Sequence, residues 1–225
     1  MKQLLWVALV LSMLAALPAA SGIGSITVDS VVNPDSTVHT TMTVRFDSPV
    51  ASFSHPLHSG IVDLEASGDF EKADCRVIPR TVASEIYCDL VGITPERNIL
   101  TLEFNTLDSV RKVDATYLYT ITFGVSTPTN DSFIIVRLPE SGVLAADIPN
   151  QSYSPQDGSV FSDGRHIGIF WQRDRLNPGD SLQFSVNYRV SEQAGALSQF
   201  LIVVAVVAMI IAAGAVVYFR QGRFR

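Results

Sequence analysis

Two histidines, in the segment His55-Pro56-Leu57-His58, are the residues best placed for metal or acid–base chemistry. With Asp63 nearby they supply imidazole and carboxylate, a ligand set that zinc accepts. The proline between them disturbs any regular ligand geometry, and no third ligand is evident. The sequence therefore favours a polar loop with two exposed histidines over a metal or hydrolytic site.

An acidic stretch follows, and its spacing matches a calcium-binding loop only in part. It contains Gly68 among its carboxylates, which are Asp63, Glu65, Asp69, Glu71 and Asp74. An EF-hand loop needs further oxygen ligands after that glycine, so we predict a solvated strand edge instead. The nucleophile elbow, the P-loop, the dinucleotide fingerprint and the HExxH motif are also missing from the sequence. We therefore predict no catalytic, cofactor-binding or metal-binding residue and do not expect an enzyme.

An aromatic group lies near the C-terminal part of the chain and comprises Phe161, Phe170 and Trp171. We predict core packing or a sheet surface for these side chains, with a sugar-binding platform as the alternative. His166, which begins a strand after a turn, is predicted to lie at the surface.

The two cysteines, Cys75 and Cys88, are predicted to form a disulfide. An even cysteine count in an exported segment favours this state. Residues of alternating polarity flank a turn near Pro79 to Ala83, so a hairpin would bring the sulfurs face to face. A redox pair and two metal thiolates are the alternatives, but the spacing is not CxxC and no histidine lies nearby.

Two sequons permit N-glycosylation, at Asn130-Asp131-Ser132 and at Asn150-Gln151-Ser152. Both lie beside prolines in segments that resemble loops. Asn130 and Asn150 are therefore candidate glycosylation sites on exposed loops.

Residues 22–192 alternate between apolar and polar side chains nearly throughout, as Val38 to Phe46 and Ser181 to Val190 illustrate. A period of two buries one face of a strand, and strands of this kind form antiparallel sheets that stack as sandwiches. The predicted fold class is an all-β ectodomain, an antiparallel β-sandwich of about eleven strands. It forms either one large domain or two small Ig-like halves, with a candidate seam at 107–112.

Turn residues separate these strands. Asp163-Gly164 predicts a tight hairpin, because glycine tolerates the positive φ that such a turn needs. Asn177-Pro178-Gly179-Asp180 places proline and glycine where a type II turn requires them.

The N-terminus has the parts of a secretory signal peptide. Lys2 precedes a short apolar core, and the small residues Ala19 to Gly22 follow Pro18. We predict a signal peptide over 1–21 with cleavage near Ala20 to Gly22, and an uncleaved signal anchor is the alternative.

The C-terminus predicts a transmembrane helix over 200–219, since twenty apolar residues of helix rise about 30 Å, the thickness of a bilayer core. Arg220, Arg223 and Arg225 follow this run, whereas one acid and no base lie in 191–199 before it. Positive residues stay cytoplasmic, so we expect a single-pass type I protein of the cell membrane. Its linker is 193–199 and its cytoplasmic tail is 220–225.

Small residues recur along one face of that helix, at Ala205, Ala208, Ala212 and Ala215. Such a face permits close helix approach, so it predicts dimerisation or docking to another helix. Alanine is also common in spanning helices, and this alternative stays open.

The chain is acidic, with a formal net charge of −6, and its acids lie in the outer part. This balance argues against nucleic acid as a partner. The expected partners are the lipid bilayer and a membrane or envelope protein.

Several segments from Asn98 onward resemble a loosely defined family of archaeal envelope proteins. Leu138-Pro139-Glu140 after a strand and Asp163-Gly164-Arg165 before an Ile/Trp strand carry the resemblance, which covers about 95 residues. It implies a signal peptide, a β-sandwich outer region, a single spanning helix and a tail that is short or DNA-binding. It supplies no catalytic residues. The Leu-Pro pattern is also similar to the lumenal part of ribophorin I, an oligosaccharyltransferase subunit.

The sequence thus predicts a non-enzymatic interaction or accessory module of the cell envelope. The alternatives are a ligand-sensing ectodomain that signals through helix association and an accessory subunit of a membrane complex such as glycosyl transfer machinery.

Overall fold

The computed structural model describes residues 22–81, 83–145 and 152–190. The predicted signal peptide, Asn150 and the predicted transmembrane helix with its alanine face lie outside these described residues. Within the described ranges, no helix has the length and apolarity needed to cross a bilayer.

The described residues form two β-sheets. The strands of the first, seven-stranded sheet are β1 (Ile23–Val32), β2 (Val38–Phe46), β4 (Ile61–Gly68), β7 (Ile99–Thr106), β10 (Thr129–Arg137), β13 (Ser159–Ser162) and β14 (Ile167–Leu176). The strands of the second, eight-stranded sheet are β3 (Ser52–Leu57), β5 (Lys72–Pro79), β6 (Ser84–Val91), β8 (Val110–Val113), β9 (Thr116–Gly124), β11 (Gly142–Leu144), β12 (Tyr153–Ser154) and β15 (Ser181–Val190).

The first sheet has the order β13-β14-β10-β1-β2-β7-β4, and the second has the order β11-β15-β9-β3-β6-β5. In the second sheet β12 also pairs with β15, and β8 pairs with β9. The prediction of antiparallel sheets holds for all of these ladders except one, since β1 and β10 run parallel. The chain crosses from β9 in the second sheet to β10 in the first, so β10 enters beside the beginning of β1, where Ile23 pairs with Thr129.

The two sheets share one buried core, as the predicted alternation requires. Val38, Met42 and Phe46 all face inward on β2 and are almost fully buried. Rings meet between the sheets, with centroids 6.0 Å apart for Phe46 and Phe53 and 5.1 Å apart for Trp171 and Phe184. Trp171 is therefore a core residue, as one of the two sequence interpretations held.

The segment 107–112 leads from β7 in the first sheet into β8 in the second. Each sheet takes strands from both sides of this segment. The described residues consequently form one two-sheet unit with a single core, and this segment does not divide it.

Two predicted turns are confirmed. Asp163 and His166 close the β13–β14 hairpin through a 3.2 Å backbone hydrogen bond, with Gly164 at a φ of 89°. Asp180 donates its backbone N–H to the carbonyl of Asn177 over 3.0 Å, and Gly179 has the positive φ, 94°, of a type II turn.

The predicted disulfide is also confirmed. Cys75 on β5 lies directly opposite Cys88 on β6, and the two sulfurs are bonded. The bond ties the edge strand β5 to β6, whose Cys88 is fully buried in the core.

The acidic stretch forms an edge, as predicted. β4, which carries Asp63 and Glu65, is the last strand of the first sheet, and most of its residues are exposed.

His55 contradicts the prediction of a polar loop with two exposed histidines. It lies in β3 and is 2% exposed, whereas His58 follows the strand and is exposed. β3 alternates, so His55 faces inward together with Phe53 and Leu57. Pro56 is tolerated because the ladder between β3 and β9 contains a single residue pair, at Leu57.

The sandwich has two distinct ends. β1, β10 and β15 all finish at one end, where Val31 pairs with Arg137 and Val190 pairs with Gly142. We term this the exit end, because the chain leaves the described domain there toward residue 200. β1 and β10 begin at the opposite end, which we term the far end.

Candidate binding cleft at the exit end

Arg137 organises the exit end by binding two carboxylates. Its Nε and Nη2 donate to the two oxygens of Asp29, each over 3.0 Å, and its Nη1 donates to Asp163 Oδ2 over 3.1 Å. Asp29 is on β1, Arg137 is the last residue of β10, and Asp163 begins the β13–β14 turn. This Arg137 clamp therefore joins two strands and a turn that are distant in sequence.

Electrostatics strengthens the clamp. The hydrogen bond from Arg137 to Asp29 raises the pKa of the guanidinium further, and the charges of Asp29 and Asp163 act in the same direction. The backbone N–H groups of His166 and Arg165 donate to Asp163 and lower the pKa of its carboxyl group. The side chains of Arg137 and Asp29 are 26% and 30% exposed, so water screens this pair only in part.

The same turn fixes the ring of His166. Its Nδ1 lies 2.7 Å from the carbonyl oxygen of Leu138. A carbonyl can only accept, so Nδ1 carries the hydrogen, and in the neutral ring Nε2 is the acceptor. The backbone N–H of Leu138 donates to the carbonyl of Ile167 over 2.9 Å, which joins the same two segments again.

A cleft of about 500 Å³ opens beside this clamp. It lies between the β1–β2 turn and the loop after β10, and its lining residues are Val31, Val32, Asn33, Pro34, Pro139, Glu140, Ser141 and His166. Asn33 Nδ2 donates to Thr37 Oγ1 over 2.9 Å, which holds the β1–β2 turn in place. The walls are mainly valine and proline, while the carboxylate of Glu140 and the ring of His166, in its neutral form, offer acceptors. Such a surface suits an extended segment with apolar side chains and a donor group.

The two motifs quoted for the family resemblance meet at this cleft. Leu138-Pro139-Glu140 forms one wall, and the turn Asp163-Gly164-Arg165 holds His166 in the other. The two motifs are far apart in sequence, so the sequence did not reveal that they are close in space. The contact between Asp29 and Arg137 was hidden in the same way, because 108 residues separate them. Sequence reasoning missed Asp29 and Arg137 altogether and assigned His166 to the surface, whereas it is half-buried.

The far end has a different recess, of about 400 Å³, with a more polar lining. Arg45, Asp47 and Asp131 contribute charges to it. The sequon residue Asn130 also lies there, exposed, and donates to Asp47 Oδ2 over 2.8 Å. The prediction of a loop at Asn130 is wrong, because this residue is in β10. Asn130 is nonetheless exposed to solvent, because it lies at the beginning of the strand.

His55 lies in the core toward the far end. Its ring is parallel to that of Phe53, and the two ring centroids lie 6.1 Å apart. The centroid of the Phe123 ring lies 4.8 Å from that of His55. Among the described residues its Nε2 has no hydrogen-bond partner. Burial lowers the pKa of His55 to about 4, so the ring is neutral at physiological pH. Within the described ranges no group of three or more His, Cys, Asp or Glu side chains is assembled for a metal ion.

The three residues of the aromatic group lie in three different surroundings. Trp171 is 1% exposed and donates its Nε1 hydrogen to the carbonyl of Pro155 over 2.8 Å, so it offers no face to a sugar. Phe170 stacks on Phe133 at the outer face of the first sheet, with centroids 6.0 Å apart. Phe161 lies 5.5 Å from the guanidinium of Arg137 and covers the clamp.

No family model and no curated protein matches the sequence. Among solved structures, leukotriene A4 hydrolase from Saccharomyces cerevisiae is similar with a TM-score of 0.44 and 11% identity, over 75% of this chain and 29% of that chain. An M1 zinc metallopeptidase from Deinococcus radiodurans has a TM-score of 0.41 and 10% identity, over 74% of this chain and 42% of that chain. The folded domain of LppM from Mycobacterium tuberculosis has a TM-score of 0.34 and 10% identity, over 79% of this chain and 95% of that chain.

This chain thus spans less than half of either enzyme chain. At these identities and TM-scores the likeness carries no argument about activity.

Proposed function

We propose that the protein is a single-pass, membrane-anchored β-sandwich of the cell envelope that binds a partner protein through the exit-end cleft and catalyses no reaction. The observation that carries this proposal is the position of Val190. The last strand ends at the same end of the sandwich as the cleft, since Val190 pairs with Gly142 just after the Pro139 wall.

The chain length supports a cleft close to the membrane. Nine residues, 191–199, separate the end of β15 from the apolar run 200–219. Fully extended, they span at most about 30 Å. A domain on so short a connection presents its exit end to the bilayer, and its cleft then meets segments of other proteins that leave the same membrane.

The chemistry of the cleft describes the partner. Valine and proline walls favour an extended, apolar segment, and the Nε2 of His166 and the carboxylate of Glu140 favour a lysine, an arginine or a backbone N–H beside it. If the partner stays bound permanently, the protein is an accessory subunit of a membrane complex, such as glycosyl transfer machinery. The alanine face at Ala205, Ala208, Ala212 and Ala215 would then pack against a helix of that partner or of a second copy.

Co-purification tests the proposal, with two matched proline variants. Pro34 lies in an exposed turn at the cleft, and Pro95 lies in an exposed turn at the far-end recess. We expect the full chain, extracted in mild detergent, to retain a stoichiometric envelope protein. Pro34→Arg should lose that protein and Pro95→Arg should keep it. Equal retention by both variants, or the absence of any stoichiometric partner, would refute the cleft as the binding surface.

A ligand-sensing ectodomain is the second candidate, because a volume of about 500 Å³ lies in the range of small-molecule sites. A metabolite that raises the melting temperature of the wild-type chain but not of Pro34→Arg would favour the sensor over the protein-binding module.

A further inference from the structure

A strip of side chains beside the cleft has the composition of a membrane-interface surface. It lies on the ladder that joins β8, β9, β15 and β11 at the exit end. We term it the interfacial strip, and its members are Arg111, Lys112, Val113, Tyr117 and Val143. Val113 and Val143 are each 43% exposed, and both cations are exposed.

Strand register places the two valines on one face of the sheet. Tyr117 pairs with Tyr188, so the next residues, Thr116 and Arg189, share the opposite face. Val113 pairs with Thr116 and Val143 pairs with Arg189. Both valines therefore point outward on the same side, and Arg111 joins them because it lies two residues before Val113.

Lys112 pairs with Tyr117, so these two side chains point to the opposite face of the sheet and border the strip at the exit end. The Nζ of Lys112 lies 5.5 Å from the ring centroid of Tyr117, which stacks on Tyr188 with centroids 5.3 Å apart. Lysine and arginine keep their charged ends at phosphates while their stems and nearby apolar groups lie deeper, and tyrosine is enriched at the same level. Asp108 and Asp114 flank the two cations, so residues 108–114 carry no net charge, and Arg111 and Lys112 act through their positions and not through an excess of positive charge.

The strip lies close to the point where the chain leaves toward the membrane. β9 lies between β8 and β15 in the ladder, so Val113 is two strand spacings, about 10 Å, from β15. The connection 191–199 is too short to hold the exit end far from the bilayer. Exposed apolar residues also occur at the far end, where Val91 is 53% exposed, but the chain does not leave the domain there.

We propose that the interfacial strip rests on the outer leaflet of the membrane, with Val113 and Val143 at the level of the headgroups and Arg111 and Lys112 on lipid phosphates. This inference rests on the proposed single-pass anchor. With the strip on the leaflet, the far end and Asn130 point away from the bilayer, and the cleft lies next to the membrane surface.

Environment-sensitive fluorophores on single introduced cysteines test the proposal in the full chain, in nanodiscs of phosphatidylcholine and phosphatidylglycerol. Labelling without reductant preserves the Cys75–Cys88 bond. Val113→Cys reports on the strip, Val91→Cys is the matched far-end control, and Ile210→Cys reports on the anchor. We expect blue-shifted emission and quenching by spin-labelled lipid at positions 113 and 210, and aqueous emission at position 91.

The outcomes separate the two proposals. A quenched label at 210 with an aqueous label at 113 would overturn the strip and leave the anchor intact. An aqueous label at 210 would overturn the anchor and the strip with it. Equal quenching at 113 and 91 would show that the domain has no fixed orientation, which also refutes the strip.

A charge reversal gives an independent test. Arg111→Glu combined with Lys112→Glu should abolish lipid quenching at position 113 while the melting temperature and the quenching at 210 stay unchanged. Lys72→Glu, on the edge strand β5 beside Val91, is the control and should leave the quenching at 113 as it was. Undiminished quenching at 113 in the double variant would contradict a role for the two cations.

Discussion

The two ends of the sandwich each contain a histidine, and the two side chains differ in burial and in hydrogen bonding. His166 at the exit end is half-buried, bonded to Leu138 and kept in place by a turn that the Arg137 clamp secures. His55 toward the far end is fully buried among aromatic rings, and its Nε2 has no partner among the described residues. His166 thus presents a fixed polar group to the cleft at the exit end. His55 buries a polar group without a partner among the described residues, which lowers the free energy of unfolding. The comparison shows that the exit end holds a polar side chain at an open cleft, and it predicts that the far-end core is the acid-sensitive part of the fold.

The largest expected effect is acid sensitivity from His55. Its pKa is about 4 in the folded protein and 6.5 unfolded, so below pH 6.5 the unfolded chain binds more protons. Stability is therefore complete above pH 6.5 and decreases as the pH falls toward 4, by roughly 3 to 4 kcal/mol. Urea unfolding followed by Trp171 fluorescence at several pH values measures this slope.

His55→Phe is the control for that prediction, because an aromatic ring of similar size replaces a titratable one. It should remove the slope between pH 6.5 and 4.5. The carboxyl groups of Glu85 and Asp163 also have lowered pKa values, and each loses its stabilising effect as it becomes protonated, so they add to the pH slope only at the lower edge of this window and below it. A slope that persists in His55→Phe would show that another group causes it.

Loss of the disulfide should have the next largest effect and should not distinguish the two ends. Cys75→Ala with Cys88→Ala removes a link between residues 13 apart in sequence, which costs about 3 kcal/mol in the chain-entropy model. The urea midpoint should fall by a similar amount at pH 7.5 and at pH 5, with the pH slope unchanged. A changed slope would indicate that the bond also restrains the environment of His55.

Arg137→Ala should loosen the exit end alone. It removes a bidentate contact and leaves the carboxylate of Asp29 half-buried, at a cost of about 1 to 3 kcal/mol. Hydrogen exchange should accelerate at 138–142 and 163–167, while residues around His55 stay protected at pH 7.5. Arg137→Lys keeps the charge without the bidentate geometry and should give an intermediate result. Uniform acceleration across both sheets would contradict a local role.

Arg76→Ala should have the smallest effect and serves as the reference for the clamp. Arg76 Nη1 lies 3.1 Å from Asp89 Oδ2, but both side chains are more than half exposed. An exposed ion pair of this kind contributes less than about 1 kcal/mol. Urea unfolding should detect little change, and a loss equal to that of Arg137→Ala would remove the distinction between exposed and half-buried pairs.

Local pattern was sufficient for much of the fold. The alternation in Val38 to Phe46 correctly placed the buried face of β2, and the turn Asn177 to Asp180 formed as its proline and glycine require. The Cys75–Cys88 pairing followed from a hairpin within one short segment. In each case the deciding interactions lie within about 15 residues.

The candidate site was not predictable in this way. The burial of His55 depends on β3 being covered by the first sheet, since the polar residues around it suggested a loop. Arg137 meets Asp29 only because β1 and β10 run parallel and in register, a pairing between strands about 100 residues apart that no local signal specifies. Neither the cleft nor the hydrogen bond from His166 to the carbonyl of Leu138 exists before those strands come together.

The amino-acid sequence by itself determined long alternating strands such as β2 and β15 with their inward faces, two turns and the disulfide, because each depends on neighbouring side chains and on the preferences of a short backbone. The tertiary structure alone decided which strands pair, which histidine is buried and which charges meet at the exit end. Those outcomes depend on how two sheets stack to exclude water, and that stacking brings together residues whose separation along the chain carries no information about their distance in space.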